Sequence, residues 1–144
     1  MRILAIDYGT KRTGLAVTDP AGIIASALDT VPTAELMAYL RKYTAREAVG
    51  GFVVGLPCNL DGSPTDATPH VARFVADLRR AFPTHWVETT DERFTSTLAQ
   101  RTMHQSGVGK KARRDKGAVD RISATIILQG WMERKGMHGS GRRT

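Results

Sequence analysis

The sequence predicts an α/β protein: a five-stranded mixed β-sheet flanked by helices, with an antiparallel three-strand meander followed by α-β-α-β-α. Three observations carry that prediction. Ile3-Leu4-Ala5-Ile6 is a continuous apolar run closed by Asp7 and Gly9, the pattern of a central strand buried on both faces. Two further short apolar segments follow, separated by turn residues alone, which is the spacing of a meander. Beyond Val31-Pro32 the apolar period changes to that of helices alternating with buried strands.

The elements follow in order. Residues 13–18 form the second strand, after a short Gly-containing turn. Asp19-Pro20-Ala21-Gly22 has Pro and Gly where a tight turn wants them. Residues 23–28 then form the third strand. Thr33 is expected to cap a helix with Leu36, Leu40 and Tyr43 on one face and Glu35 in its first turn, stopped by Gly50-Gly51. Residues 52–56 are a fourth, buried strand, and 57–67 a loop rich in Asp, Gly, Ser and Pro. Thr68-Pro69 starts a helix with Val71, Phe74, Val75 and Leu78 at i, i+3, i+4, i+7 spacing, ended by Pro83. Residues 85–89 are the fifth strand, 96–104 a short helix, 106–117 a basic loop and 118–134 the last helix. One domain over residues 1–136 and a flexible basic tail over 137–144 are expected.

Charge is unevenly placed. The chain of 144 residues carries net +7, but residues 1–100 hold 10 basic and 11 acidic side chains while residues 101–144 hold 11 and 3. That asymmetry points to a polyanionic partner, either nucleic acid or an anionic membrane surface. One cysteine, Cys58, excludes an intramolecular disulfide and a multi-Cys zinc site. No apolar run approaches the ~20 residues that span a bilayer. The expectation is a soluble, cytoplasmic protein that does not use a membrane.

Three acidic positions stand out. Asp7 ends a buried strand, where a carboxylate is costly unless a donor or a cation meets it; it either caps the following turn or belongs to a site. Asp120 shares a helix face with Ala124, Ile127 and Trp131, which look buried; a first-turn role beside the helix dipole explains its position but not its face. Asp91-Glu92-Arg93-Phe94-Thr95 follows the fifth strand, where acidic residues ordinarily cap or face water. Carboxylates from these three elements, if convergent at ~4 Å, would repel by several kcal/mol per pair at an effective dielectric near 20. Divalent cations or proton uptake would resolve that repulsion, and oxygen-only ligands suit Mg²⁺ or Mn²⁺.

Other chemistries are excluded. Gly9 to Gly14 has P-loop spacing, but Leu15-Ala16 stands where Lys-Ser/Thr belongs and a strand follows instead of a helix. The four histidines (70, 85, 104 and 138) lack ligand spacing, and Cys58 has no evident base. Lys110, Lys111, Arg113, Arg114 and Lys116 put five cations in seven residues just before Asp120. Such a run is either a solvated loop or the wall of a groove that feeds a polyanion to the acidic cluster.

Four segments then carry a resemblance: Ile6 through Gly14, Val54-Gly55-Leu56-Pro57 with Asp61-Gly62-Ser63, Asp91 through Ser96, and Lys116 through Asp120. In this order, over residues 2–134, they resemble the YqgF family of bacterial Holliday junction resolvase-like proteins, also described as pre-16S ribosomal RNA nucleases. The resemblance implies an RNase H-like fold and a two-metal nuclease site for Mg²⁺ or Mn²⁺. Asp7, Glu92 and Asp120 match the family's acidic residues, with Asp91 the alternative to Glu92. Lys11, Arg12 and Arg93 would contact the phosphate being cleaved, and the 110–116 loop the flanking backbone. Cys58 departs from the pattern, standing before Asn59, and Ser123 replaces a usual Ala. Implied partners are pre-rRNA, branched DNA or single-stranded DNA, acted on by a monomer or homodimer.

Two other functions fit parts of the sequence. A non-catalytic RNA-binding factor of ribosome assembly would keep the fold and the basic charge. Asp7-Tyr8-Gly9-Thr10 also resembles the phosphate-binding turn of actin-like and sugar-kinase ATPases, but those enclose a nucleotide between two such halves and this chain has length for one.

Overall fold

In the computed structural model, the structure describes residues 1–57, 63–91 and 116–136. The strands are β1 (Arg2–Asp7), β2 (Arg12–Thr18), β3 (Ala25–Pro32), β4 (Val49–Leu56) and β5 (Trp86–Asp91). The helices are α1 (Leu36–Arg46), preceded by a 3₁₀ turn over Thr33–Glu35, α2 (Thr68–Ala81) and α3 (Lys116–Arg134). The sheet order is β3-β2-β1-β4-β5. β1 pairs antiparallel with β2 and parallel with β4, and β4 runs parallel to β5. The expected mixed five-stranded sheet is present, with the apolar 3–6 run as its central strand.

Strand alternation divides the core in two. Leu4, Ile6, Leu15, Val17, Phe52 and Val54 point to the side covered by α1 and α2. Ile3, Ala5, Ala16 and Val53 point to the side covered by α3, where they meet Ala124, Ile127, Leu128 and Trp131. Leu4, Ala5 and Ile6 are wholly buried, so β1 is enclosed on both faces. Full burial of such an aliphatic side chain contributes about 1.5–3 kcal/mol. The α3 side is lined by small residues, which lets a single helix lie close to the strands.

Several boundaries differ from expectation for identifiable reasons. β3 starts at Ala25, not residue 23, and runs to Pro32. The Asp19 carboxylate accepts from the amides of Ile23 and Ile24, both at 2.7 Å, so these two amides serve the turn and not the ladder. Gly22 supplies the positive φ of 74° that closes the turn. Thr33 does not cap α1 with its side chain; its hydroxyl bonds elsewhere. Gly50-Gly51 does not stop the helix either. The chain is already extended at Glu47, and both glycines lie inside β4.

Gly51 has its own reason to be small. An added Cβ would fall 2.1 Å from the Trp86 ring. Trp86 in turn stacks on Trp131, with ring centroids 5.3 Å apart and planes 17° apart. Trp131 donates to Glu88, and Lys135 pairs with the same carboxylate at 3.2 Å. This cluster fixes the C-terminal half of α3 to β5. The expected 96–104 helix, most of the basic loop and the 137–144 tail lie outside the described residues.

Candidate active site

β1 delivers Asp7 to its C-terminal end, opposite Gly14 of β2. Alternation from Ile3 and Ala5 puts Asp7 on the α3 side of the sheet. Gly14 faces the same helix so closely that a Cβ there would sit 2.1 Å from the Asp120 carbonyl oxygen. Thr30 of β3, the cross-strand partner of Gly14, completes the row. Its hydroxyl donates to the Gly117 carbonyl at 2.6 Å and accepts from Arg121 at 3.2 Å. Asp7, Gly14 and Thr30 thus form a line across three strands, and the start of α3 rests on it. That arrangement brings the first and last of the expected acidic residues to one end of one face.

The turn between Asp7 and Arg12 is held by a closed ring of hydrogen bonds. The Gly9 amide donates to the Thr13 hydroxyl at 3.5 Å, and the Thr33 hydroxyl donates to the Gly9 carbonyl at 2.5 Å. Thr33 has then used its one proton, so in the 2.9 Å pair between the hydroxyls Thr13 is the donor. The Thr33 amide also donates to the Lys11 carbonyl at 2.9 Å. Gly9 permits the tight path, since a Cβ would fall 2.3 Å from the Arg12 carbonyl oxygen. Tyr8 anchors the other side by stacking on Phe74 at 4.7 Å.

Arg12 emerges from this turn toward Asp120. Its Nε lies 2.6 Å from Asp120 Oδ2. Both atoms are shielded from solvent, yet neither makes an aligned hydrogen bond. The contact is therefore an ion pair by proximity, off the N–H axis. Burial pushes the Asp120 carboxyl above its usual range, and the charges of Arg12 and Arg121 only partly oppose that. α3 begins at Lys116, two residues earlier than expected, so Asp120 lies beyond the helix's first turn and the dipole account of it is weakened.

The other candidate residues divide as follows. Lys11 is exposed beside Arg12. Lys116 opens α3. Glu92, Arg93, Lys110, Lys111, Arg113 and Arg114, with Cys58, lie outside the described residues. Asp91 ends β5, paired with Leu56. Alternation puts it with the α1/α2-facing Val87, whereas Glu88 and Thr90 meet Trp131 and Arg134 of α3. Asp91 is thus on the opposite side of the sheet from Asp7. Gly14, Thr30, Thr13 and Thr33 are supporting residues that hydropathy and charge patterns do not single out. Gly14 and Thr13 are within the Ile6–Gly14 motif, and an interior strand glycine is itself a sign of close backbone approach.

Among the described residues, no three His, Cys, Asp or Glu side chains gather into a complete metal cage. The partial set is all oxygen, and the shielded Asp120 Oδ2 has no aligned donor. Such a set fits a hard divalent ion, with further ligands needed to complete it. No described helix is long and apolar enough to cross a membrane.

Comparison with known proteins then decides the family. Residues 1–134 match the family model described as "RuvX: Holliday junction resolvase". The chain belongs to the RuvX (YqgF) family. A RuvX relative from Porphyromonas gingivalis, named "Putative pre-16S rRNA nuclease", is 51% identical over 132 residues, covering 92% of this chain and 96% of its own. A relative of the same name from Christiangramia forsetii is 50% identical over 131 residues, covering 91% and 97%. Among solved structures, Thermus thermophilus RuvC in complex with a Holliday junction substrate aligns with TM-score 0.58 at 16% identity, covering 95% of this chain and 97% of that one. At that identity the likeness speaks to the fold alone, and it makes the RuvX sheet RNase H-like, as the motifs implied.

Proposed function

We propose that this RuvX protein is a divalent-metal-dependent nuclease that hydrolyses phosphodiester bonds of structured nucleic acid in the cytoplasm. The observation that carries the reading is that Asp7 and Asp120 lie at one end of the α3 face, on either side of Gly14, with Arg12 against Asp120. Its substrate is the 5′ region of precursor 16S rRNA, a four-way DNA junction, or both, in keeping with the names of its relatives and family.

Asp7 and Asp120 would hold the metal, with Glu92 completing the set in preference to Asp91, which the β5 pleat turns away. Bound Mg²⁺ or Mn²⁺ supplies activation of water and charge neutralisation at the phosphodiester. The protein's own part is positional. The hydroxyl ring of Thr13 and Thr33 fixes the turn that carries Asp7 and Arg12, and Gly14 sets the distance to Asp120. Lys11 and Arg12 offer charge to the scissile phosphate, Arg93 adds to it, and the 110–116 run tracks the flanking backbone.

The test compares cleavage of a four-way junction, single-stranded DNA and an rRNA precursor under Mg²⁺ and Mn²⁺. Asp7→Asn and Asp120→Asn should each abolish cleavage while leaving nucleic-acid binding, measured in chelator, intact. Loss of a charge-bearing metal ligand should reduce the rate by on the order of a hundredfold or more. Cleavage unchanged in both variants would sink the site assignment. Binding by the wild type without turnover on any substrate would favour the RNA-binding factor.

A further inference from the structure

Arg12 occupies a position that the nuclease reading alone does not explain, although any role for it beside Asp120 rests on that reading. Its guanidinium touches Asp120 through Nε, 2.6 Å from Oδ2, without the fork-to-fork alignment that makes Arg–carboxylate pairs strong. The two contact atoms are shielded, yet the Arg12 side chain is 37% exposed and the Asp120 side chain 20% exposed. The guanidinium therefore has a wider path to solvent than the carboxylate. Arg121, the other cation that acts on Asp120 among the described residues, donates instead to Thr30, whose hydroxyl also holds Gly117. Arg12 is thus held by an unaligned charge contact open to solvent, and Arg121 by a side-chain hydrogen bond. A hard divalent ion binds carboxylate oxygens at about 2.0–2.2 Å, so at Oδ2 it would stand within roughly 4 Å of the Arg12 guanidinium and repel it.

We propose that Arg12 is an exchangeable counter-cation: it neutralises Asp120 until a divalent ion claims Oδ2, and the same event releases its guanidinium toward the substrate phosphate. One residue then couples metal entry to phosphate capture. Free metal meets a competitor at the site, and metal arriving with nucleic acid does not, because the phosphate draws Arg12 away. By linkage, nucleic acid tightens metal binding and metal tightens nucleic-acid binding by the same factor.

Calorimetric titration of Mn²⁺ into the full chain tests this without any turnover. Arg12→Gln should bind Mn²⁺ on the order of tenfold more tightly than the wild type. It should also melt at a lower temperature than the wild type in chelator and regain more on adding Mn²⁺. Arg12→Lys keeps the charge and a conservative shape, so its affinity should stay near the wild-type value. Asp120→Asn should bind weakly whichever residue stands at 12. Equal or weaker Mn²⁺ binding by Arg12→Gln, with the wild type binding normally, overturns the exchange and leaves the metal site standing. Arg12→Lys binding as tightly as Arg12→Gln overturns it too. No Mn²⁺ binding by the wild type overturns the nuclease reading, and the exchange with it.

Discussion

Gly14 shows how one missing side chain can set a site. It lies between Asp7 on the neighbouring strand and Asp120 on the helix above, and a methyl group there would overlap the Asp120 carbonyl. Gly14→Ala should cost about 1–3 kcal/mol, as overpacking does, and should impair cleavage by moving α3 away from Asp7. Chemical denaturation and a cleavage assay on the same sample check both parts. A lower midpoint with wild-type cleavage would separate the helix position from the site. Asp7 and Asp120 are both legible as residues, because a carboxylate ending a buried strand and another on a buried helix face are anomalies of pattern. The distance between them is not legible, since it depends on a backbone approach that only Gly14 and the Thr30 hydroxyl explain. Thr33 misleads for a related reason. A threonine before a helix looks like a cap, but here its hydroxyl is turned to the Gly9 carbonyl and the Thr13 hydroxyl.

At the level of elements, apolar runs locate every strand and helix of the described residues, and side chains set where they begin. The Asp19 turn is the clearest case. The amides of Ile24 and Ile23 hold the Asp19 carboxyl below its usual 3.8. A depressed value in the folded state means that this contribution is complete above 3.8 and fades as pH falls through the folded value. Asp19→Ala should therefore lower the denaturation midpoint at neutral pH, and the gap to the wild type should close in acid well below 3.8. A gap that persists in acid would mean the carboxylate's charge does not matter to the turn. The two isoleucines show why β3 begins later than its hydropathy suggests. Their side chains are apolar enough for a strand, while their amides are already committed to Asp19. Gly50-Gly51 misleads in the opposite direction, since glycine pairs resemble helix stops and here Gly51 makes room for an indole.

Over the whole molecule, composition speaks first through charge, which the sequence divides unevenly between its two parts. The near-neutral first hundred residues build the sheet and carry Asp7, whereas the basic last third leads into α3 and Asp120. Replacing Lys110, Lys111, Arg113 and Arg114 together should flatten the log–log salt dependence of nucleic-acid binding by about 0.7–0.9 for every phosphate they would otherwise neutralise. An unchanged slope would make that run a solvated loop. The fold itself offers a way to watch such variants. The chain has two tryptophans, Trp86 and Trp131, and they are stacked on each other. Two indoles in near-parallel contact couple their electronic transitions, and no third indole dilutes the signal. Undocking of α3 from β5 should thus erase a paired near-ultraviolet circular dichroism band and shift the emission, while events confined to α1 or α2 leave both untouched. Each purified variant would report optically whether the helix bearing Asp120 is seated, independently of whether it cleaves.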